Sequence, residues 1–146
     1  MSVRIADILA HKGHEVVTVG ATARLVEVIA LLTRHGIGAV VVVDDADRFQ
    51  GLVSERDVVH ALGRSGPPVL EAAATEVMST DLPACAPEDR VDDVAALMTR
   101  GRHRHVPVIV EQELLGIVSV GDVVRSRIDD LSETAEQLKA YVAGSY

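Results

Sequence analysis

The sequence predicts a mixed fold, α+β in layout and α/β in its local units, made of two β-α-β-β-α repeats packed about a pseudo-twofold axis. Three observations predict it: the chain repeats itself, its Val- and Ile-rich runs come in closely spaced pairs, and each pair follows an amphipathic helical stretch. Residues 16–43 align with 82–109 at an offset of 66. Arg24, Val28, Ala30, Leu31, Thr33, Arg34, Val40 and Val42 return as Arg90, Val94, Ala96, Leu97, Thr99, Arg100, Val106 and Val108. One extra residue within 44–50 reduces the offset to 65. Beyond it, Gly51, Val53, Ser54, Asp57, Val58 and Val59 match Gly116, Val118, Ser119, Asp122, Val123 and Val124. The starts correspond as well, Asp7-Ile8-Leu9 with Glu76-Val77-Met78. Chance likeness in a Val- and Ala-rich chain accounts for the aliphatic matches, but not for Arg, Thr, Gly, Ser and Asp recurring in order.

Each repeat opens with a short helical turn, residues 5–9 or 73–78, and a short strand, 16–19 or 82–85. A helix follows, 24–34 or 91–100. Its buried face is read from the spacing of Leu25, Val28, Ile29 and Leu32 in the first repeat, and of Val91, Val94, Ala95 and Met98 in the second. A hairpin then pairs 39–43 with 51–54, or 105–110 with 115–119. The near-continuous Val and Ile content of these runs predicts strands covered on both faces. A final helix begins near Glu55 or Val120. The first repeat is placed at 1–63 and the second at 73–128. The linker, 64–72, is marked by Gly63-Arg64-Ser65-Gly66-Pro67-Pro68. A helical tail occupies 129–146. Its helix is read over 128–143, with Asp130 and Glu133 as a capping box and Leu131, Ala135, Leu138 and Val142 as one apolar stripe. Such a stripe calls for cover, from the rest of the chain or from a second copy.

Composition narrows the function. Of 146 residues, 48% are hydrophobic but only 2% aromatic, so the core must be packed from small aliphatic side chains in close contact. The formal net charge of -8 opposes nonspecific nucleic-acid binding, which needs Lys and Arg to displace counterions. A single cysteine, Cys85, excludes an intrachain disulfide and a Cys-rich zinc site. No apolar run approaches a membrane span, and the first residues lack a signal peptide's apolar middle, so a soluble cytoplasmic protein is expected.

The sharpest motif is Gly51-Leu52-Val53-Ser54-Glu55-Arg56-Asp57, echoed by Gly116-Ile117-Val118-Ser119-Val120-Gly121-Asp122. Taken singly, Ser-x-x-Asp is a helix cap: Ser accepts a backbone N–H, and Asp suits the positive end of the dipole. Taken as a pair, it can do more. A helix N-terminus attracts an anion, and a carboxylate can accept hydrogen bonds from both hydroxyls of a ribose. Arg56 adds a cation to the first motif only.

This order of repeats, with paired G-h-h-S-x-x-D segments, resembles tandem cystathionine-β-synthase-type (CBS) domains, a pair known as a Bateman module. The resemblance covers residues 3–127 and is strongest at Val77-Met78, His105-Val106-Pro107-Val108-Ile109 and 116–122. It implies a ligand-sensing module that takes AMP, ADP, ATP or a nicotinamide dinucleotide (NAD or NADH) in the clefts between the repeats. It also implies a homodimer, no catalysis, and output through an unidentified effector protein. Carried over by position, the first site is Ser54, Arg56 and Asp57, with Val16, Val17, Gly38, Ala39 and Val41 near the base. The second is Ser119 and Asp122, with Leu82, Pro83, Arg104, His105 and Pro107. The first repeat departs from the family pattern in carrying Val41 where a proline is usual.

Arg102-His103-Arg104-His105 is a basic run in an acidic chain. On an extended segment its two His would share one face, but the spacing offers no third metal ligand. Phosphate recognition by Arg104 or His105 is the favoured reading, and a partly protonated His would strengthen it as pH falls. The sequence carries no G-x-G-x-x-G, P-loop, G-x-S-x-G or H-E-x-x-H motif, and no nucleophile–base pair. Two alternatives stand beside ligand sensing: a structural or protein-interaction module whose Ser and Asp only cap helices, and a weak binder of single-stranded nucleic acid.

Overall fold

In the computed structural model, residues 3–144 are described; Met1 and Ser2, placed in the first repeat, and the last two residues of the tail lie outside them. The first repeat holds α1 (Ile5–Lys12), β1 (Thr18–Gly20), α2 (Leu25–His35), β2 (Ala39–Val43), β3 (Phe49–Ser54) and α3 (Glu55–Ser65). A 3-10 turn, Pro67–Glu71, leads to α4 (Ala74–Val77), α5 (Val91–Gly101), β4 (His105–Val110), β5 (Glu113–Ser119) and α6 (Val120–Gly144). One sheet has the order β1-β2-β3, with β1 parallel and β3 antiparallel to β2; the other is the antiparallel pair β4-β5.

The repeats exchange their opening helices. Ile5, Ile8 and Leu9 of α1 pack with Val91, Val94, Met98, Val106, Val108 and Val118 of the second repeat. Ala74 of α4, with Val77 and Met78, packs with Val19, Leu25, Val28, Val40, Val53 and Val58 of the first. Backbone hydrogen bonds sew the exchange symmetrically. Ile5 N–H donates to Asp89 at 2.9 Å and Val91 N–H to Val3 at 3.0 Å, matched by Leu25 to Ala72 at 2.9 Å and Ala74 to Ala23 at 2.7 Å. A third cluster, Val41, Val43 and Leu52 with Val16, Leu82, Leu114 and Ile117, fills the space between the sheets. Val40, Val41 and Val42 are fully buried, which explains the unbroken Val run; each contributes about 1.5 kcal/mol or more.

Three expectations are corrected here, two strands and the separate tail helix. The opening strand of the first repeat is shifted to Thr18–Gly20, and the strand expected at 82–85 is reduced to a single bridge between Cys85 and Val108. In the first repeat Val41 N–H donates to Val17 at 3.0 Å. The equivalent pair in the second repeat is Pro107 and Pro83, and Pro107 has no N–H to give. The linker is more ordered than its Gly and Pro suggest. Helix α3 runs to Ser65 and stops at Gly66, and Val69 of the 3-10 turn packs on the first core. The tail is no separate helix, because residues 122–143 contain neither Gly nor Pro; Asp130 and Glu133 therefore sit inside the 25-residue α6 instead of capping it. Nor does the chain itself cover the tail's stripe, since Leu131, Leu138 and Val142 are 69%, 60% and 56% exposed.

Gly51 and Gly116 are where the exchanged helices come closest. A Cβ on Gly51 would lie 2.7 Å from the backbone oxygen of Ser79; one on Gly116 would lie 2.8 Å from Cδ2 of Leu9. A backbone carbonyl yields less than the tip of a leucine. Gly51→Ala is expected to cost about 2–3 kcal/mol in urea unfolding and Gly116→Ala about 1 kcal/mol, in that order.

Candidate functional site

Strand β3 ends at Ser54 and strand β5 at Ser119, and each Ser begins the helix that follows. Ser54 N–H and Oγ–H donate to Oδ2 of Asp57 at 2.8 and 2.9 Å, and Asp57 N–H donates back to Ser54 Oγ at 3.2 Å. Ser119 N–H donates to Oδ2 of Asp122 at 2.9 Å, with the return bond again 3.2 Å. The capping reading of both motifs is therefore correct as local chemistry.

The surroundings of the two acids differ. Oδ1 of Asp57 accepts from the Ser79 hydroxyl at 2.8 Å, and the carboxylate is half-buried at the wall of a cleft of 910 Å³. Asp122 is 9% exposed, and its Oδ2 accepts from Lys12 Nζ at 2.7 Å. Burial pushes the Asp122 carboxyl up, but hydrogen bonds from Lys12 and Ser119 outweigh this and hold it below the usual carboxylate range. Ser79 follows the exchanged helix α4 and Lys12 ends the exchanged helix α1, and no sequence motif marks either. Their signal lies only in the exchange itself.

The cleft brings together Gly38, Ser54, Arg56, Asp57, Leu82, Arg104, His105 and Ser119 of the expected site residues. It adds Glu55, Val59, His60, Ser79, Arg102 and His103. It does not take in Val16, Val17, Ala39, Val41, Pro83, Pro107 or Asp122. Val41 is fully buried between the sheets, Ala39 pairs with Ser54, and Pro107 is buried opposite Ile117. Asp57 is thus grouped with Leu82 and Arg104 of the second repeat rather than with Val16 and Val17, because the helix exchange carries the second repeat's lead-in segment to the first repeat's acid.

The N-termini of α3 and α6 both open into this cleft. Arg56, Arg102 and Arg104 line it with exposed side chains, and Arg56 reaches across the repeats to donate to the Arg102 carbonyl at 3.4 Å. Three guanidinium groups against Glu55 and Asp57 make a locally cationic cleft in an acidic chain. The basic run is not one extended segment, since Arg102 ends α5 in the left-handed region at φ 56°. The His105 ring lies against Gly38, where a Cβ would come within 3.1 Å of Nε2. Burial, then Arg104 and Lys12, pulls its pKa below 6.5, against weaker raising by Asp122 and Glu55. The His105 ring thus holds a proton less readily than a free imidazole, which runs against the expected gain of phosphate affinity through a protonated ring. Cys85 is a core residue, its thiol pushed up to about 12 by burial and Asp89, so it is no nucleophile at neutral pH.

The profile of the CBS domain family matches residues 5–64 and again 74–129. The chain belongs to the CBS domain family. CBS domain pairs are regulatory modules. The CBS domain-containing protein CBSX3, mitochondrial, of Arabidopsis thaliana is 32% identical over 124 residues, 82% of this chain and 60% of that protein. The CBS domain-containing protein YhcV of Bacillus subtilis is 30% identical over 121 residues, 81% of this chain and 83% of that protein. This chain therefore spans less than two thirds of its Arabidopsis relative. A crystal structure of a CBS-domain containing protein from Agrobacterium tumefaciens superposes with a TM-score of 0.83 at 38% identity, covering 87% of this chain and 95% of that one. The two-repeat CBS-pair architecture read from the sequence is thereby established. Among the described residues, no helix is long and apolar enough to cross a membrane.

The depressed His105 pKa has a consequence for stability. As pH falls through the unfolded value of 6.5, the unfolded chain gains a proton that the folded chain refuses. Stability is then lost progressively until pH passes below the folded pKa. The melting temperature is expected to fall more steeply between about pH 7.5 and pH 5.5 in the wild type than in His105→Gln.

Proposed function

We propose that this CBS pair is a noncatalytic sensor that binds an adenine nucleotide, one of AMP, ADP, ATP or an NAD-type dinucleotide, in the 910 Å³ cleft. The observation that carries the reading is the Asp57 carboxylate, held by Ser54 at the start of α3 and facing a cationic cleft of nucleotide size. Oδ1 of Asp57 takes one hydrogen bond, from a neutral and rotatable Ser79 hydroxyl, so a lone pair is left for a ribose and the Ser79 bond exchanges at little cost. The α3 N-terminus with Arg56 and Arg104 would take the phosphate. Ser119 and the N-terminus of α6 would meet it from the second repeat, and Leu82 and Gly38 would flank the base. A neighbour in fold supports the class of ligand. The CBS domain pair of protein MJ0100 was solved in complex with 5′-methylthioadenosine and S-adenosyl-L-methionine, and it superposes with a TM-score of 0.78 at 22% identity, covering 89% of this chain and 99% of that one.

Calorimetric titration with AMP and ATP tests this. The unmodified protein is expected to bind, and Asp57→Ala to weaken binding by about 2 kcal/mol, roughly 30-fold. Arg56→Ala and Arg104→Ala are expected to weaken ATP more than adenosine and to flatten the salt dependence, with no ATP turnover in any of them. Silence towards every adenine nucleotide would favour the protein-interaction reading.

The homodimer belongs to the same proposal, and α6 supports it. Val124, Ile128, Leu131, Ala135, Leu138 and Val142 are spaced alternately by four and three residues, the period of a two-helix seam. Asp129, Asp130, Glu133 and Glu136 all fall off that seam, so two copies meet without opposed acids despite the net charge of -8. The doubly substituted Leu131→Glu/Leu138→Glu protein is expected to be monomeric by light scattering and to keep its AMP affinity, whereas the unmodified chain runs as a dimer.

A further inference from the structure

We propose that Lys12 is a built-in occupant of the second repeat's sugar position, so that the chain takes one nucleotide rather than two; the count rests on the reading of the Asp57 cleft given above. The two acids are the same device locally, with matching cap bonds from Ser54 and Ser119. They differ in what the exchanged segment brings. Asp57 receives the Ser79 hydroxyl, which a ribose hydroxyl replaces like for like. Asp122 receives an ammonium that also donates to the Ile117 carbonyl at 2.8 Å. Lys12 sits on Oδ2 of Asp122, the oxygen that also accepts from Ser119 N–H, and so holds that carboxylate by charge as well as by a hydrogen bond.

Charge makes this occupant hard to displace. Asp122 is 9% exposed and Lys12 is 33% exposed, so removing the ammonium would strand a buried carboxylate. The next cation, Arg125, stands 3.8 Å from Oδ1 with a 66% exposed side chain and does not replace it. The space agrees. Asp122 lines a pocket of 220 Å³, below the roughly 300 Å³ of ordinary ligand sites, while Ser119 of the same motif lines the large cleft. Asp7, Asp129, Asp130 and Glu133 also line the small pocket; they outnumber its cations Lys12 and Arg125 and on balance repel a phosphate. Opening the position would thus admit a nucleoside before a nucleotide.

Titration of the full chain with adenosine and with ATP tests the assignment. The unmodified protein is expected to bind one adenosine, to lose it in Asp57→Ala, and to keep it within about threefold in Asp122→Asn. Lys12→Ser, which copies Ser79, is expected to bind two adenosines but still one ATP, and Asp57→Ala/Lys12→Ser to bind one adenosine. Lys12→Ala serves as the second opened variant, and thermal melts establish that each variant folds. Two adenosines on the unmodified chain, or no gain in either Lys12 variant, would overturn the assignment of Lys12. If the unmodified chain binds nothing, the Asp57 reading fails alone: a single adenosine gained by Lys12→Ser then still supports the blocking role, and none overturns it.

Discussion

The exchange of opening helices between the repeats is the constraint on which everything else hangs. Neither repeat closes its own core. Val91, Val106 and Val118 need Ile5 and Leu9, while Leu25, Val40 and Val53 need Ala74 and Met78. The crossing brings the segment behind α4 against Gly51 and α1 itself against Gly116, where a Cβ has no room. This explains why both G-h-h-S-x-x-D motifs begin with Gly. Its role is to let the other repeat's segment lie on the strand, placing a foreign side chain beside the Asp six residues on. The exchange thus builds the fold and sets what each acid faces.

From that constraint follows the inequality of the two halves. Duplication gives two equal caps, but the segments laid beside them have diverged, one to a hydroxyl and one to an ammonium. A neutral hydroxyl leaves a carboxylate at a cleft wall uncompensated in charge, whereas an ammonium at 2.7 Å pairs with a buried one and joins α1 to β5 through Ile117. The Asp122 motif has become an internal clamp, with its Ser still opening into the shared cleft. In this chain one acid of the duplicated motif is tied into a buried ion pair, and the other stands at the wall of the large cleft.

Much of this was legible in the sequence because it is periodic. Offsets in the chain gave the repeats, and the spacing of Leu25, Val28 and Leu32 gave a buried helix face that the fold bears out. The caps were legible because they are local, each closing within three residues. What could not be read was set by contacts distant in sequence. Lys12 reaches Asp122 across 110 positions, Ser79 reaches Asp57 across 22, and no spacing rule connects either pair. The strand expected at 82–85 fails because Pro83 and Pro107 fall opposite each other, a pairing that no local pattern announces. The capping-box pattern at Asp130 and Glu133 lies inside α6, which nothing from Asp122 onward breaks.

The same layout indicates how a ligand in the proposed cleft would be felt elsewhere. The cleft has no wall that belongs to one repeat alone: Asp57 and Arg56 stand on the first, Arg104 and Ser119 on the second, and Arg56 already bridges to the Arg102 carbonyl. A ligand held by both sides binds best where those sides are correctly spaced, and only that difference in affinity can shift the repeats. Helix α6 starts at the cleft with Val120 and Gly121, and Arg127 ties it to Asp92 of α5 at 2.9 Å. It then runs unbroken to Gly144, so a small rotation of its first turn is carried along a rigid rod of about 37 Å. The exposed stripe on that rod is therefore the part of the chain best placed to convert a change of spacing in the cleft into a change at a partner.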